Sequence, residues 1–156
     1  MDRKKISQNE RLTYRLNIVA QQAIALNDDI FLRETGCRIR ELRVLRLIDD
    51  SPGTTFAEIA RVTGLERSLT SRIIQGLIAS GLVQRENSGS DARVFQLMTT
   101  ERGKEVRRIA RAVSDRLEAV LTQPLTRAEL GTLDALLARL AVWVSSDEYR
   151  DALVEA

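Results

Sequence analysis

Apolar residues recur at helical spacing near the start of the chain. Leu12, Leu16, Val19, Ala23, Leu26 and Ile30 follow one another at 4, 3, 4, 3 and 4 residues. The pattern predicts a long helix over residues 10–31 with an a/d seam sustained for nearly three heptads. Ile18, Ile24, Ala25 and Phe31 widen it into a second apolar face. A helix with two apolar faces needs two partners, such as its own core and a second subunit. Gly36 breaks the pattern. A second helix is predicted over 38–50, with Ile39, Leu42, Leu45 and Ile48 inward and Val44 and Leu47 beside them. Asp49-Asp50-Ser51-Pro52-Gly53 ends it in a turn. Thr55-Phe56-Ala57-Glu58 has capping-box spacing and opens a short helix that Gly64 stops. Another helix follows over about 67–79, with Leu69, Ile73, Ile74, Leu77 and Ile78 inward and Glu66 at its N-cap. Ser80-Gly81 stops it.

The period then changes from 3.6 to 2. Leu82–Glu86 and Val94–Met98 predict two strands around the turn-rich Asn87-Ser88-Gly89-Ser90-Asp91, the chain's one hairpin candidate. A long helix is predicted over 100–121, with Val106, Ile109, Val113, Leu117 and Val120 inward. After Pro124, Thr126-Arg127-Ala128-Glu129 is a second capping box. Leu130, Leu133, Leu137, Leu140 and Val144 then form a second a/d seam. The two seams sit at opposite ends of the chain. No internal repeat or low-complexity segment interrupts this order.

Ala60-Arg61-Val62-Thr63-Gly64-Leu65 has the arithmetic of a helix-turn-helix. A small residue lets two helices cross closely, a glycine four residues on permits the turn, and Leu65 plugs the joint. With a hairpin directly after the second helix, the unit predicts a winged helix. The solvent face of that second helix carries Arg67, Ser68, Ser71, Arg72 and Gln75, with Thr70 at its margin. These groups reach base edges and phosphates. From Arg67 to Arg85 there are three arginines and no acid. Surfaces usually mix both signs, so an acid-free face favours DNA over a merely solvated one. In the hairpin, Arg93 could enter a minor groove and Asp91 could hold a nearby arginine. By residue types alone, a turn-forming Asp and a surface Arg are the favoured reading.

The chain of 156 residues suffices for one domain with a sizeable core, and 44% hydrophobic with 29% charged residues excludes a disordered chain. Met1-Asp2-Arg3-Lys4-Lys5 leads into no apolar run, so neither a secretory leader nor a membrane span is expected and the protein is read as cytoplasmic. Histidine is absent, which removes the usual general base and the commonest metal ligand. With no nucleophile–base pair, Gly-rich loop or metal cluster, neither an enzyme, a cofactor nor a metal-sensing regulator is expected. The net charge of +2 is unevenly placed: residues 101–111 carry five basic and two acidic residues, and 112–156 four basic and eight acidic. Arginine supplies 21 of the 24 basic residues. That fits bidentate phosphate contact or simply the base composition of a genome.

Residues 56–103 resemble the MarR family of bacterial transcription regulators. The resemblance rests on Glu58-Ile59-Ala60, Gly64-Leu65-Glu66-Arg67-Ser68, Arg72, Leu77–Val83, the wing signature Asp91-Ala92-Arg93, and Leu97-Met98-Thr99-Thr100-Glu101-Arg102-Gly103. Met98 replaces the family's usual Leu, and Glu66 stands where Asp is commoner. The resemblance implies a mainly α fold with a small β-hairpin wing: a single domain over 1–156, with a winged helix-turn-helix over 38–103, a long connecting helix over 100–121, and dimerisation helices at 1–35 and 122–156. It implies a homodimer that binds a pseudo-palindromic double-stranded DNA operator, usually as a repressor. Arg67, Ser68, Thr70, Ser71, Arg72, Gln75, Arg85, Asp91 and Arg93 are then the expected DNA contacts. Leu12, Leu16, Val19, Leu133, Leu137, Leu140, Trp143 and Val144 form the expected dimer interface. Many members of the family release DNA when a small molecule binds between the dimerisation helices and the winged domain. Tyr14, Asn17 and Gln21 on the first helix, with Arg40, Arg43, Arg107 and Arg111, would suit an acidic or aromatic effector. Two alternatives stand beside this reading. Cys37, near Arg33, Arg38 and Arg40, would make the protein a redox sensor if those arginines lower its thiol pKa. A helical protein-interaction dimer with a vestigial winged domain is the other.

Overall fold

The computed structural model describes residues 11–154 except 89 and 90, with backbone alone for 87, 88 and 91–94. Among these residues, seven helices and three short strands run in the order α1 (Leu12–Thr35), α2 (Ile39–Asp50), β1 (Thr54–Thr55), α3 (Phe56–Thr63), α4 (Arg67–Ala79), β2 (Val83–Ser88), β3 (Asp91–Thr99), α5 (Glu101–Thr122), α6 (Arg127–Val144) and α7 (Asp147–Val154). The fold is thus mainly α with a small β wing. The first helix runs on to Thr35, where Gly36 adopts the left-handed conformation and its N–H closes on the Leu32 carbonyl at 2.9 Å. The strands reach Ser88 and Asp91, further toward the tip than their apolar runs, because ladder bonds continue through polar residues. The sheet has the order β1-β3-β2. Thr54 and Thr55 add a third strand by pairing with Leu97 and Gln96. Two polar residues carry no period, so this strand and the short polar helix α7 leave no trace in the hydrophobic pattern. Among the described residues, no helix is long and apolar enough to cross a membrane.

The chain divides into two compact units, one ending at Leu117 and the other starting at Glu118. The core of the first gathers Phe31 and Cys37 with Val44, Leu45 and Ile48 of α2, Ile59 of α3, and Ile73, Ile74 and Leu77 of α4. Leu82, Val83, Leu97 and Val113 complete it. Polar ties fasten the outer helices to it. Asp28 of α1 accepts the Ile39 N–H at 2.8 Å and a guanidinium N–H of Arg38 at 2.6 Å, so it caps α2 from a neighbouring helix. The Ile39 N–H bond, helped by Arg38, holds the Asp28 carboxyl below the ordinary carboxylate range. Arg116 of α5 donates to Glu34 of α1 at 2.6 Å. In the second unit, α6 starts at a closed capping box of Thr126 and Glu129, as its spacing predicts, and Trp143 meets Tyr149 of α7 edge-to-face at 5.8 Å. No residue of α6 is buried.

One junction joins α4, β2 and α5. The N–H of Gly81 donates to Ile78 and that of Leu82 to Leu77, both at 2.9 Å, closing α4 in a Schellman motif whose apolar pair, Leu77 and Leu82, lies in the core. The Leu82 carbonyl then accepts the Thr100 N–H at 3.1 Å. Thr100 Oγ1 donates to the Gly81 carbonyl at 2.7 Å and accepts the Gly103 N–H at 3.1 Å, which starts α5. A Cβ on Gly103 would lie 2.2 Å from the Leu82 carbonyl oxygen and 2.7 Å from Thr99 Cγ2. Only glycine allows this approach. Gly103→Ala is expected to lower the unfolding free energy by about 1–3 kcal/mol through overpacking, read from denaturant titration. Gly131→Ala, where a Cβ meets nothing within 4 Å, is the control and should not destabilise.

Candidate nucleic-acid interface

Local chemistry builds the α3–turn–α4 unit. Thr55 Oγ1 accepts the Glu58 N–H at 3.3 Å, and the Glu58 carboxylate accepts the Thr55 N–H at 2.7 Å, so the predicted capping box is closed. Glu58 also accepts the hydroxyls of Thr55 and of Thr54 in β1, which ties the start of α3 to the sheet. These bonds, led by the Thr55 N–H, hold the Glu58 carboxyl below its ordinary range. Gly64 ends α3 at φ +63° with its N–H on the Ala60 carbonyl at 3.1 Å. A Cβ there would meet nothing within 4 Å, so the glycine is required by the left-handed backbone and not by space. Leu65 N–H donates to Thr63 Oγ1 at 3.3 Å, and Glu66 stands at the N-cap of α4. Its carboxylate makes no cap bond but accepts the Ser68 hydroxyl at 2.9 Å.

The outer face of α4 presents Arg67, Ser68, Arg72 and Gln75, with Ser71 half-buried. Gln75 Nε2 donates to Ser71 Oγ at 3.3 Å. Thr70 does not belong to this face, which corrects the sequence reading. It is fully buried, and its hydroxyl donates to the Glu66 carbonyl one turn back at 3.1 Å. Residues 70, 73, 74 and 77 share the core side, and bonding to that carbonyl lets a hydroxyl stay there at little penalty. The Arg67 guanidinium carbon lies 5.9 Å from the ring centre of Phe56, and that of Arg85 in β2 lies 5.8 Å from Phe95 in β3. Arginine spacing held no hint of these aromatic partners, because the rings are eleven and ten residues away in sequence. A groove of about 540 Å³ runs between the end of α4 and β2, with Gln75 and Arg85 both in its lining. Asp91 and Arg93 lie in β3, but their side chains fall outside the described residues.

The other predicted sets fare unequally. Tyr14, Asn17 and Gln21 are exposed on α1, Arg40 and Arg43 on α2, and Arg111 on α5. Arg107 also has a structural role. Its side chain is 15% exposed and is held by Asp49 at 2.9 Å, Asp50 at 2.6 Å and the Arg46 carbonyl at 3.1 Å. It clamps α5 to the end of α2 through Nη1. Cys37 is buried, and its thiol pKa is raised by burial and then by Glu41, against a smaller opposing effect of Arg102. The expected lowering by Arg33, Arg38 and Arg40 does not occur, and Arg38 is engaged with Asp28 and Asp29. Of the predicted dimer set, Leu12, Leu16 and Val19 are exposed in the first unit. Leu133, Leu137, Leu140, Trp143 and Val144 are exposed in the second.

A capped helix-turn-helix followed by a β-ribbon defines a winged helix-turn-helix protein. Residues 37–94 match the model of the MarR family. A helix-turn-helix transcriptional repressor of Mycobacterium tuberculosis is 29% identical over 120 residues, covering 74% of this chain and 84% of its own length. Among solved structures, apo MarR from E. coli superposes with a TM-score of 0.77 at 23% identity, over 85% of this chain and 98% of that one. A cysteine-to-serine variant of E. coli MarR complexed with operator DNA gives a TM-score of 0.71 at 24% identity, over 83% of this chain and 92% of that one. The winged segment, residues 37–94, is thus similar to the MarR family of transcriptional regulators.

Two measurements check these roles. Arg107→Ala should lose on the order of 1–2 kcal/mol of stability, because Asp49 and Asp50 forfeit a charged, partly buried donor. Arg111→Ala should leave the melting temperature within a degree or two, since exposed substitutions usually stay within about 0.5 kcal/mol. Cys37 in the folded protein should react with iodoacetamide far more slowly than in urea. Its reaction should accelerate only at a pH above that of a free thiol, because the folded thiol loses its proton later.

Proposed function

We propose that this regulator works as a homodimer that binds a pseudo-palindromic DNA operator and represses transcription from it. The carrying observation is the outer face of α4, exposed, lined by Arg67, Arg72 and Gln75, and free of acid except for Glu66, which is occupied by Ser68. The helix enters the major groove, where Gln75 and Ser71 reach base edges and the arginines reach guanine edges or phosphates. The wing carries Arg85 and Arg93 to the backbone or the minor groove, with Asp91 steadying a neighbouring arginine. The operator complex of the structurally similar E. coli MarR variant and the repressor name of the mycobacterial relative support this reading.

The homodimer is supported by apolar surface that the single chain leaves open. Leu133, Leu137, Leu140 and Trp143 on α6 and Leu12, Leu16 and Val19 on α1 are all exposed. Surfaces of that kind mark interfaces. The single MarR-like domain, with 1–35 and 122–156 serving dimerisation, 38–103 serving DNA binding and 100–121 connecting them, is proposed on the same ground; residues 1–10, 155 and 156 of that division lie outside the described residues. An acidic or aromatic effector that weakens DNA binding is part of the proposal. Arg40, Arg43, Arg107 and Arg111, with Tyr14, Asn17 and Gln21, are its candidate contacts.

Light scattering at micromolar concentration should give about twice the 17.5 kDa chain mass, and a clean monomer would overturn the dimer. DNA titrations at several salt concentrations test the rest. An inverted repeat with half-sites about 10 bp apart should bind far more tightly than random DNA. Gln75→Ala should cost about 1–3 kcal/mol on the operator and much less on random DNA. Arg93→Ala should weaken both DNAs more evenly and lower the salt slope by about one unit for each phosphate that is no longer neutralised. If the wild-type protein binds the selected repeat no better than random sequence, the sequence-specific reading fails.

A further inference from the structure

We propose that Phe95 is a positioning residue for DNA binding, holding Arg85 as a phosphate contact at the groove between α4 and β2. The inference rests on the DNA-binding reading above. Arg85 is the Cα partner of Leu97 across the β2–β3 ladder, and Phe95 is two residues from Leu97 on the same strand. Side chains of a strand alternate, so Leu97, Phe95 and Arg85 share one face of the ribbon. Toward the base of the ribbon that face enters the core, where Val83 and Leu97 are buried. Toward the tip it emerges, and Phe95 is 46% exposed. The guanidinium carbon of Arg85 lies 5.8 Å from the ring centre.

The chemistry of this pair suits anion contact. A ring attracts a guanidinium through its face and leaves the in-plane N–H groups open to a further acceptor. Among the described residues Arg85 has no ion pair, and the neighbouring Glu86 carboxylate accepts from Gln84 Nε2 at 3.0 Å. No described residue takes up the donors of Arg85, and the ring restricts its long side chain, which reduces the ordering left to be done when a phosphate arrives. Gln75 of α4 lines the same groove as Arg85. DNA whose major groove receives α4 and whose next groove receives the wing must pass a phosphate strand between the two, and this groove lies there. Arg67 on Phe56 repeats the arrangement at the other end of α4.

The test is a double-mutant cycle on the full chain, titrating Phe95→Leu, Phe95→Tyr, Arg85→Ala and the Phe95→Leu/Arg85→Ala double variant against operator and random DNA at several salt concentrations. Phe95→Leu should weaken both DNAs about two- to fivefold per subunit, the worth of an exposed cation–π contact. It should do so with the salt slope and melting temperature of wild type. Phe95→Tyr, which keeps the ring, should bind like wild type. Arg85→Ala should lower the slope by about one unit per subunit, and adding Phe95→Leu to it should change affinity no further. A Phe95→Leu protein that binds like wild type overturns the proposal. So does an equal loss in the Arg85→Ala background, which would make the ring itself a DNA contact. Tyrosine failing to restore binding overturns it as well. Wild-type protein retaining neither DNA would instead overturn the DNA-binding reading, and this inference with it.

Discussion

The backbone of Leu82 is the point through which the winged unit is assembled. Its N–H closes α4 on Leu77, its carbonyl receives Thr100 at the start of α5, and its side chain enters the core beside Leu77. Strand β2 begins at the next residue. The end of α4, the root of the wing and the start of α5 are therefore fixed by one residue and its neighbours. Gly103 makes this possible, because any side chain there would collide with the Leu82 carbonyl. A wing anchored so firmly at its root can keep a set distance from α4.

Polar side chains in this unit divide their labour by position. Thr55, Glu58, Thr63 and Thr100 spend their hydrogen bonds on backbone groups and so define helix ends and turns. Asp28 and Arg107 join helices to one another. Arg67, Arg72, Arg85 and Gln75 are left facing outward, two of the arginines lying over aromatic rings. The outward set can bind a polyanion because the inward set has already satisfied the backbone without it. The apolar residues divide in the same way: one group fills the core of the first unit, while those of α6 remain open.

Much of the winged unit was legible in the chain. The capping boxes at Thr55 and Thr126 depend on a side chain and a backbone group three residues apart, so spacing alone identifies them. Gly36, Gly64 and Gly81 stop helices for reasons that lie in their own backbone. Thr70 was misplaced because helical spacing puts it near the edge of the polar face, and a hydroxyl can enter the core by bonding to the carbonyl four residues back. Arg107 looked like its neighbours in an arginine-rich stretch. Its partners Asp49 and Asp50 are more than fifty residues away, and only the packing of α5 on α2 reveals them.

The order of helices, the turn, the position of the wing and the acid-free character of α4 are written in the amino-acid order, since each follows from periods and contacts within a few residues. Which charged groups are free was settled by packing. Packing buried Cys37 and raised its thiol pKa where a row of nearby arginines had suggested the reverse. It recruited Thr54 and Thr55 into the sheet, and it brought Phe95 beneath Arg85. Desolvation, long-range ion pairs and ring contacts depend on which surfaces meet, and that is set by the packing of distant segments rather than by local spacing.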